Sequence, residues 1–411
     1  MSQSGYYRFP TIHDDSVIFT SEDDLWKVSV EGGTASRLTS NQGEVSRPLL
    51  SPDGKFVAFT GKEEGENEIY VMPAGGGEET RLTYLGSSSY VVAWNHHRGT
   101  LVFASNAAQP FSRFYCLWEV DPDGGAPEKL PYGLAHAIAY GPQRGIVLGR
   151  NTGEPARWKR YRGGTVGILW IDRQGDGEFE RLVNLDSNLT SPFWLDNRIY
   201  FISDHEGIGN LYSTKLNGSD LQRHSDQTEF YVRNTATDGR SIVYHAGGEL
   251  YCYTIDTGSN RHIAVDYNSP RVQRNRKFVD AANYLEEYNI HPAGHSLVTT
   301  HRGKSYTYAN WEGAVEQIGA PNGVRYQHSM WLYDGKSFIT VSDVTGEEVL
   351  EIYSEDITQE PAQLSQLNCG RPLSLVPSPV ENKVALSNHR HEVMIIDVNE
   401  QTGKVIDRSD Y

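Results

Sequence analysis

Nine copies of one pattern run through this chain, and their spacing limits it to very few folds. Each copy opens on a short apolar stretch and a turn, often with Asp-Gly or a lone Gly. A β-rich triplet follows, then a strand with an aromatic or Leu, a Gly-rich turn and a closing strand. The clearest copy joins Ser51-Pro52-Asp53-Gly54-Lys55-Phe56-Val57-Ala58-Phe59 to Glu68-Ile69-Tyr70-Val71-Met72 and Thr80-Arg81-Leu82-Thr83. Turn glycines recur at Gly54, Gly99, Gly239, Gly294 and Gly335. Copies without one are marked by Ile18-Phe19, Val147-Leu148, Tyr200-Phe201 and Ala385-Leu386. Gly54 to Gly99 is about 45 residues and Gly294 to Gly335 about 41, the period of a four-stranded propeller blade. Closed propellers usually carry roughly four to eight blades, so nine must divide between two rings.

The division is legible. Gly239 to Gly294 is about 55 residues, and the surplus is polar and basic: Pro270-Arg271-Val272-Gln273-Arg274-Asn275-Arg276-Lys277. The chain is therefore expected to be all-β, with a six-bladed propeller over 1–268, a linker over 269–283 and three blades of a second propeller over 284–411. Three blades cannot close a ring, because each buries its faces only against neighbours. Lys404-Val405-Ile406-Asp407-Arg408 reads as the outer strand of the ninth blade, and the chain is expected to be the N-terminal portion of a longer polypeptide. In the first ring, blades one and six each hold their full set of strands in order. No strand is left to exchange, so closure is expected by side-chain packing without a hydrogen-bonded clasp.

Composition excludes several classes. A formal charge of −16 argues against nucleic-acid binding, where a basic face supplies most of the affinity. Cys116, Cys252 and Cys369 show neither metal spacing nor a disulfide framework and read as buried thiols. The N-terminus lacks a basic region followed by an apolar core, and no stretch approaches the roughly 18 apolar residues of a membrane span, so a cytoplasmic protein is expected. No Gly-x-Ser-x-Gly elbow and no His-Glu-x-x-His occur. Asp172 to Glu180 has the wrong ligand spacing for a calcium loop and reads as an inter-strand turn. His96-His97 and His389-x-His391 read as exposed turn histidines, and Asp23-Asp24 as a turn leading into a strand whose Trp26 packs between blades. No metal site, cofactor motif or catalytic constellation emerges.

One segment departs from the repeat. Blade four is stretched by Arg150-Asn151-Thr152-Gly153-Glu154-Pro155-Ala156-Arg157-Trp158-Lys159-Arg160-Tyr161-Arg162-Gly163-Gly164-Thr165, which is basic and aromatic in an acidic chain. Connecting loops present function on a propeller scaffold. Trp158, Lys159, Tyr161 and Arg162 are the candidate contacts for a peptide carboxylate or an acidic surface on another subunit. The alternative is a loop that caps the ring, its arginines paired to neighbouring acids.

The Trp-Lys-x-Tyr-Arg-Gly-Gly-Thr run of this insertion resembles the tricorn protease family. So do Asp23-Asp24-Leu25-Trp26, Gln109-Pro110-Phe111-Ser112, Gly149-Arg150-Asn151-Thr152 and Arg198-Ile199-Tyr200-Phe201-Ile202-Ser203-Asp204, in order along roughly the first 270 residues. The resemblance implies a cytosolic serine peptidase in which a six-bladed and a seven-bladed propeller precede the catalytic domains. Its catalytic residues would lie beyond Tyr411, leaving this chain inactive alone. It further implies that the propellers filter peptides released by larger proteases and help build a hexamer. Gly86-Ser87-Ser88-Ser89-Tyr90 departs from the family, standing where an arginine pair would hold a substrate carboxylate. Ser-Pro-Asp-Gly-Lys repeats also suit a TolB-like scaffold or the propeller of a prolyl-oligopeptidase-type hydrolase.

Overall fold

The computed structural model describes residues 5–40, 43–151, 159–271, 279–357 and 359–410. The chain divides into two compact units, Met1–Asn275 and Arg276–Tyr411. Both are built from four-stranded antiparallel sheets of consecutive strands, six in the first unit and three in the second among the described residues. The first sheet is Arg8–His13, Ser16–Ser21, Asp24–Ser29 and Ser36–Arg37. The other sheets of the first unit start with Glu44–Leu50, Ser89–Asn95, Ala137–Tyr140, Leu189–Leu195 and Arg233–Thr237. This is a propeller-type fold with almost no helix. Of the segment read from sequence as a linker, 269–283, residues 272–278 fall outside the described residues, and its last three form a short 3-10 turn, Ala281–Asn283.

The closing strand of the repeat explains itself chemically. In the first sheet the Leu25 N–H donates to Thr39 Oγ1 at 2.9 Å, Thr39 Oγ1 donates to Asp24 Oδ1 at 2.8 Å, and Arg37 Nη2 donates to Asp24 Oδ2 at 2.5 Å. The second sheet repeats this with Ile69, Thr83 and Glu68 at 2.9 and 2.5 Å. The fifth repeats it with Leu211, Ser225 and Asn210 at 2.9 and 2.8 Å. Arg-x-Thr or Arg-x-Ser at the outer strand thus satisfies a buried carboxylate or amide that opens the third strand. Without such a partner, a buried acid would be strongly unfavourable.

Sheet faces pack on their neighbours. Val17, Phe19 and Trp26 of the first sheet share one apolar cluster with Val243, Leu250, Cys252 and Ile263 of the sixth. Tyr267 joins them, 4.7 Å from Trp26 and 5.4 Å from Tyr7 between ring centroids. The first and sixth sheets therefore meet, and side-chain packing between them has the form read from sequence. The expected lack of a clasp is corrected here. Val265–Asp266 pairs in parallel with Gly33–Thr34, the stretch between the third and fourth strands of the first sheet. Gly33 N donates to Ala264 O at 2.9 Å and Ala35 N to Asp266 O at 3.0 Å. The reason lies in Gly32-Gly33, whose φ values of 92° and 110° let the first-sheet turn run out to meet the chain leaving the sixth. Arg261 with Glu31 (2.6 Å) and Thr34 with Asp266 (3.2 Å) flank the joint.

The clasp makes a paired prediction. A Cβ at Gly32 would stand 2.6 Å from Ala264 O, whereas one at Gly33 would meet nothing within 4 Å. Both alanine variants carry the strain of a positive φ, about 1 kcal/mol. Gly32→Ala is expected to cost at least ~1 kcal/mol more than Gly33→Ala in chemical denaturation, and equal losses would show that the clasp does not hold the ring.

Candidate functional site: the axial cavity and its rim

The first strand of every sheet in the first unit faces a common axis. One cavity is walled by Phe9, Arg47, Tyr90, His136, Ser191 and Asn234, one residue from each sheet or its edge. A second, walled by residues such as His13, His96, Tyr140 and Trp194, adjoins it. The two share Leu49, Val92, Ile138, Pro192, Phe193 and Ala236, which form an apolar neck between them.

Backbone irregularities aim the wall residues at the axis. The pairing register of the first strand shifts between Arg8 and Thr11, Ser46 and Leu49, Thr190 and Phe193, and Arg233 and Ala236. Inside these bulges Phe9, Arg47, Ser191 and Asn234 take φ values of 50°, 52°, 51° and 47°. Side chains rarely adopt this left-handed conformation, which costs on the order of 1–3 kcal/mol at each position. A bulge re-aims side chains and ends regular pairing. Phe9-Pro10, Arg47-Pro48 and Ser191-Pro192 place a proline directly after the turned residue. A strand edge facing a cavity needs no N–H there, so proline is tolerated.

Cations and rings organise one mouth. The Arg47 guanidinium carbon lies 4.7 Å from the centroids of both Phe9 and Tyr90. The Tyr90 hydroxyl hydrogen-bonds His136 Nδ1 at 2.8 Å, and Tyr115 lies 5.4 Å from Tyr90 and 5.3 Å from His136. Burial raises the Tyr90 pKa well above its ordinary value; it lowers that of His136, with Arg47 adding to the effect. Behind Asn234 stands the buried His245, its Nε2 2.9 Å from Asn234 Oδ1. Burial, assisted by Arg233 and Arg8, takes the His245 pKa down to about 3, so the ring stays neutral while it braces the left-handed Asn234.

The basic insertion lies on the same side, since it joins the second and third strands of the fourth sheet. Trp158 and the rest of 152–158 fall outside the described residues. Lys159 is exposed, its Nζ 5.5 Å from the Tyr231 ring centroid. The Tyr161 hydroxyl accepts from Thr165 Oγ1 at 3.2 Å. Arg162 plays a different part from an open contact residue: its Nη1 lies 3.3 Å from Asp204 and its Nε 3.2 Å from Asp186. Asp204 is fully buried and also accepts from the Arg160 and Asn188 N–H groups at 2.8 and 3.0 Å. Lys159 and Arg162 are thus brought to one loop, but Arg162 pins that loop to the fifth sheet.

The remaining motifs have structural partners. Asp172 accepts the Gln174, Gly175, Asp176 and Gly177 N–H groups, folding its turn around one carboxylate. His97 Nε2 lies 2.9 Å from Gly141 O. All three cysteines are free and buried, and no group of three or more candidate ligands for a metal occurs among the described residues. No helix among them is long and apolar enough to cross a membrane.

The sequence pattern of the tricorn protease N-terminal beta propeller domain matches residues 4–259. The chain belongs to the tricorn protease family. It is 34% identical over 412 residues to a tricorn protease homolog of Saccharolobus solfataricus, covering 99% of this chain and 37% of that protein. It is 32% identical over 414 residues to the tricorn protease of Thermoplasma acidophilum, covering 97% of this chain and 37% of that one. A crystal structure of the tricorn protease superposes with a TM-score of 0.84 at 28% identity, over 99% of this chain and 40% of that one. This chain therefore spans well under half the length of the relatives it matches.

The axial residues Phe9, Arg47, His136 and Asn234 were not singled out in the sequence, and Tyr90 was noted only as the end of the Gly86–Tyr90 loop. The available signal was the X-Pro step early in three first strands, which marks a strand edge turned to open space. For the insertion, the geometry separates its two cations. Arg162→Ala would strip a buried carboxylate of its counter-charge and is expected to cost about 1–3 kcal/mol. Lys159→Ala would lose one cation–π contact, about 0.5–1 kcal/mol. Denaturation midpoints of the two variants check this, and equal effects would remove Arg162 from its pinning role.

Proposed function

We propose that the first unit is a six-bladed propeller and the second the opening three blades of a further, seven-bladed one, together forming the peptide-gating and assembly part of a tricorn-type serine peptidase. The parent acts in the cytoplasm as a homo-oligomer and trims peptides released by larger proteases, with hydrolysis assigned to parts of the parent outside this chain. The observation that carries the gating role is the axial cavity, whose wall draws on all six first strands and holds strained residues aimed at the axis. Four left-handed side chains at one level are costly for a mere scaffold and suit a lumen that sorts what passes. The second ring is supported by the exposed Val376 and Val393, which the pairing register puts on one face of the ninth sheet, an apolar surface of the kind a further sheet covers. Trp158, Lys159 and Tyr161 are proposed to contact peptide or a neighbouring subunit, on a loop that Arg162 holds in place through Asp186 and Asp204.

Narrowing the cavity tests this. Ala137 lies on the wall at the first strand of the fourth sheet. In the full-length parent, Ala137→Trp is expected to slow turnover of ten-residue peptides at least fivefold while sparing a short fluorogenic amide. Unchanged turnover of the long peptide, in a variant that keeps its thermal midpoint, would refute passage along the axis.

A further inference from the structure

The ninth sheet, built from Pro372–Pro377, Lys383–Asn388, Glu392–Asp397 and Thr402–Arg408, ends on an outer edge unlike most of the others. Most sheets close on an outer strand of two or three residues, such as Ser36–Arg37, Thr80–Arg81, Gln222–Arg223 and Ala362–Gln363. The seven-residue outer strand of the third sheet, Glu128–Leu134, carries Pro131. Short edges and edge prolines leave little for a further strand to pair with. Thr402–Arg408 has neither device. It runs seven residues without a proline, all of them exposed, and among the described residues no strand pairs with its outer side.

The charges of this strand complement their own reverse order. Laid antiparallel on a second copy about a two-fold axis between Val405 and Ile406, it sets Lys404 opposite Asp407, Val405 opposite Ile406 and Gly403 opposite Arg408. Residues directly opposite must point to the same face, and positions three apart on a regular strand point to opposite faces. A bulge removes that conflict. Lys404 stands across from Ile395 and Asp407 across from Val393, with the register shifting between Val393 and Met394. Val393 and Ile395 are two apart, so Lys404 and Asp407 share a face. Asp407 accepts the Arg408 N–H at 2.9 Å, and neither it nor Lys404 has an ion-pair partner among the described residues. Arg408 is already paired with Glu392 of the neighbouring strand, so its place opposite Gly403 adds no unmatched charge. An edge lysine and a bulge ordinarily keep a second strand away. Here the bulge brings an acid into line with that lysine.

We propose that this edge joins two copies of the chain, their outer strands pairing antiparallel into one continuous sheet with Lys404 and Asp407 as reciprocal partners. The occupant is a second copy because the strand is complementary to itself, and an isologous contact of this kind closes at two. The strands are short and the area they bury is small, so the association is weak and transient on its own. The proposal rests on the assembly role proposed above and names one contact that serves it.

Sedimentation velocity of this chain, from about 5 to about 200 µM at low salt, reads the association. K404E brings two acids face to face and D407K two lysines, and each variant alone is expected to weaken self-association roughly tenfold or more. Mixed in equal amounts the two variants are complementary, because every Lys404–Asp407 position across the mixed pair then joins opposite charges. The mixture is expected to associate as the unaltered chain does, and so is the double variant K404E/D407K. Both positions are exposed, and unchanged melting midpoints check that the variants fold. An unaltered chain that stays monomeric over this range would overturn the proposal. Single variants that associate as the unaltered chain does would overturn it too, as would a mixture no stronger than its parts, and both would assign the association to another surface. The mass of the full-length parent, measured separately, decides the assembly reading, so the edge contact and that reading fail apart.

Discussion

Every four-stranded sheet in this chain has two apolar faces, and neither can face water without cost. In the first unit the requirement is met by circular packing, because Phe19 and Trp26 of the first sheet reach Val243 and Leu250 of the sixth. Each such side chain contributes about 1.5–3 kcal/mol when buried. The seam where the two ends meet is the place at which that arrangement could fail. There the structure adds what packing alone lacks: two backbone bonds from Gly33 and Ala35, an aromatic group around Tyr267, and the Arg261–Glu31 pair. A closed circle of sheets leaves an axis, and the axis is where the chain departs from regular strand geometry.

The ring and the lumen are linked by the first strands. Regular pairing would alternate side chains between the two sheet faces and leave the free strand edge lined by backbone. Bulges at Phe9, Arg47, Ser191 and Asn234 break that alternation and turn side chains inward. Their strain is held by neighbours: Tyr90 and Phe9 clasp Arg47, and a neutral His245 holds Asn234. A lumen built this way is set by the sheets themselves.

Features with a local chemical cause were legible in the sequence. Gly54 takes φ 69° in the Ser51-Pro52-Asp53-Gly54 turn, where only glycine sits comfortably, and Thr83 two residues after Arg81 answers the buried Glu68. Trp26 between the first and sixth sheets follows from its place on an alternating strand. The clasp was missed because its two partners lie over 200 residues apart and each is only two residues long. Gly32-Gly33 signalled it, but a glycine pair in a turn has many local explanations. The axial residues escaped because a bulge inverts the in-and-out alternation on which a strand is read. The insertion was visible by composition, yet composition could not show that Arg162 serves Asp204 while Lys159 faces solvent.

The circular packing and the turned wall residues converge on a single question, whether peptide occupies the axis. Photo-crosslinking answers it most directly, with benzoylphenylalanine placed at Val92 in the neck and, separately, at Lys129 on an outer strand. An axial path should give peptide adducts at position 92 and none above background at position 129. Adducts confined to position 129, with a silent neck in a correctly folded protein, would contradict it.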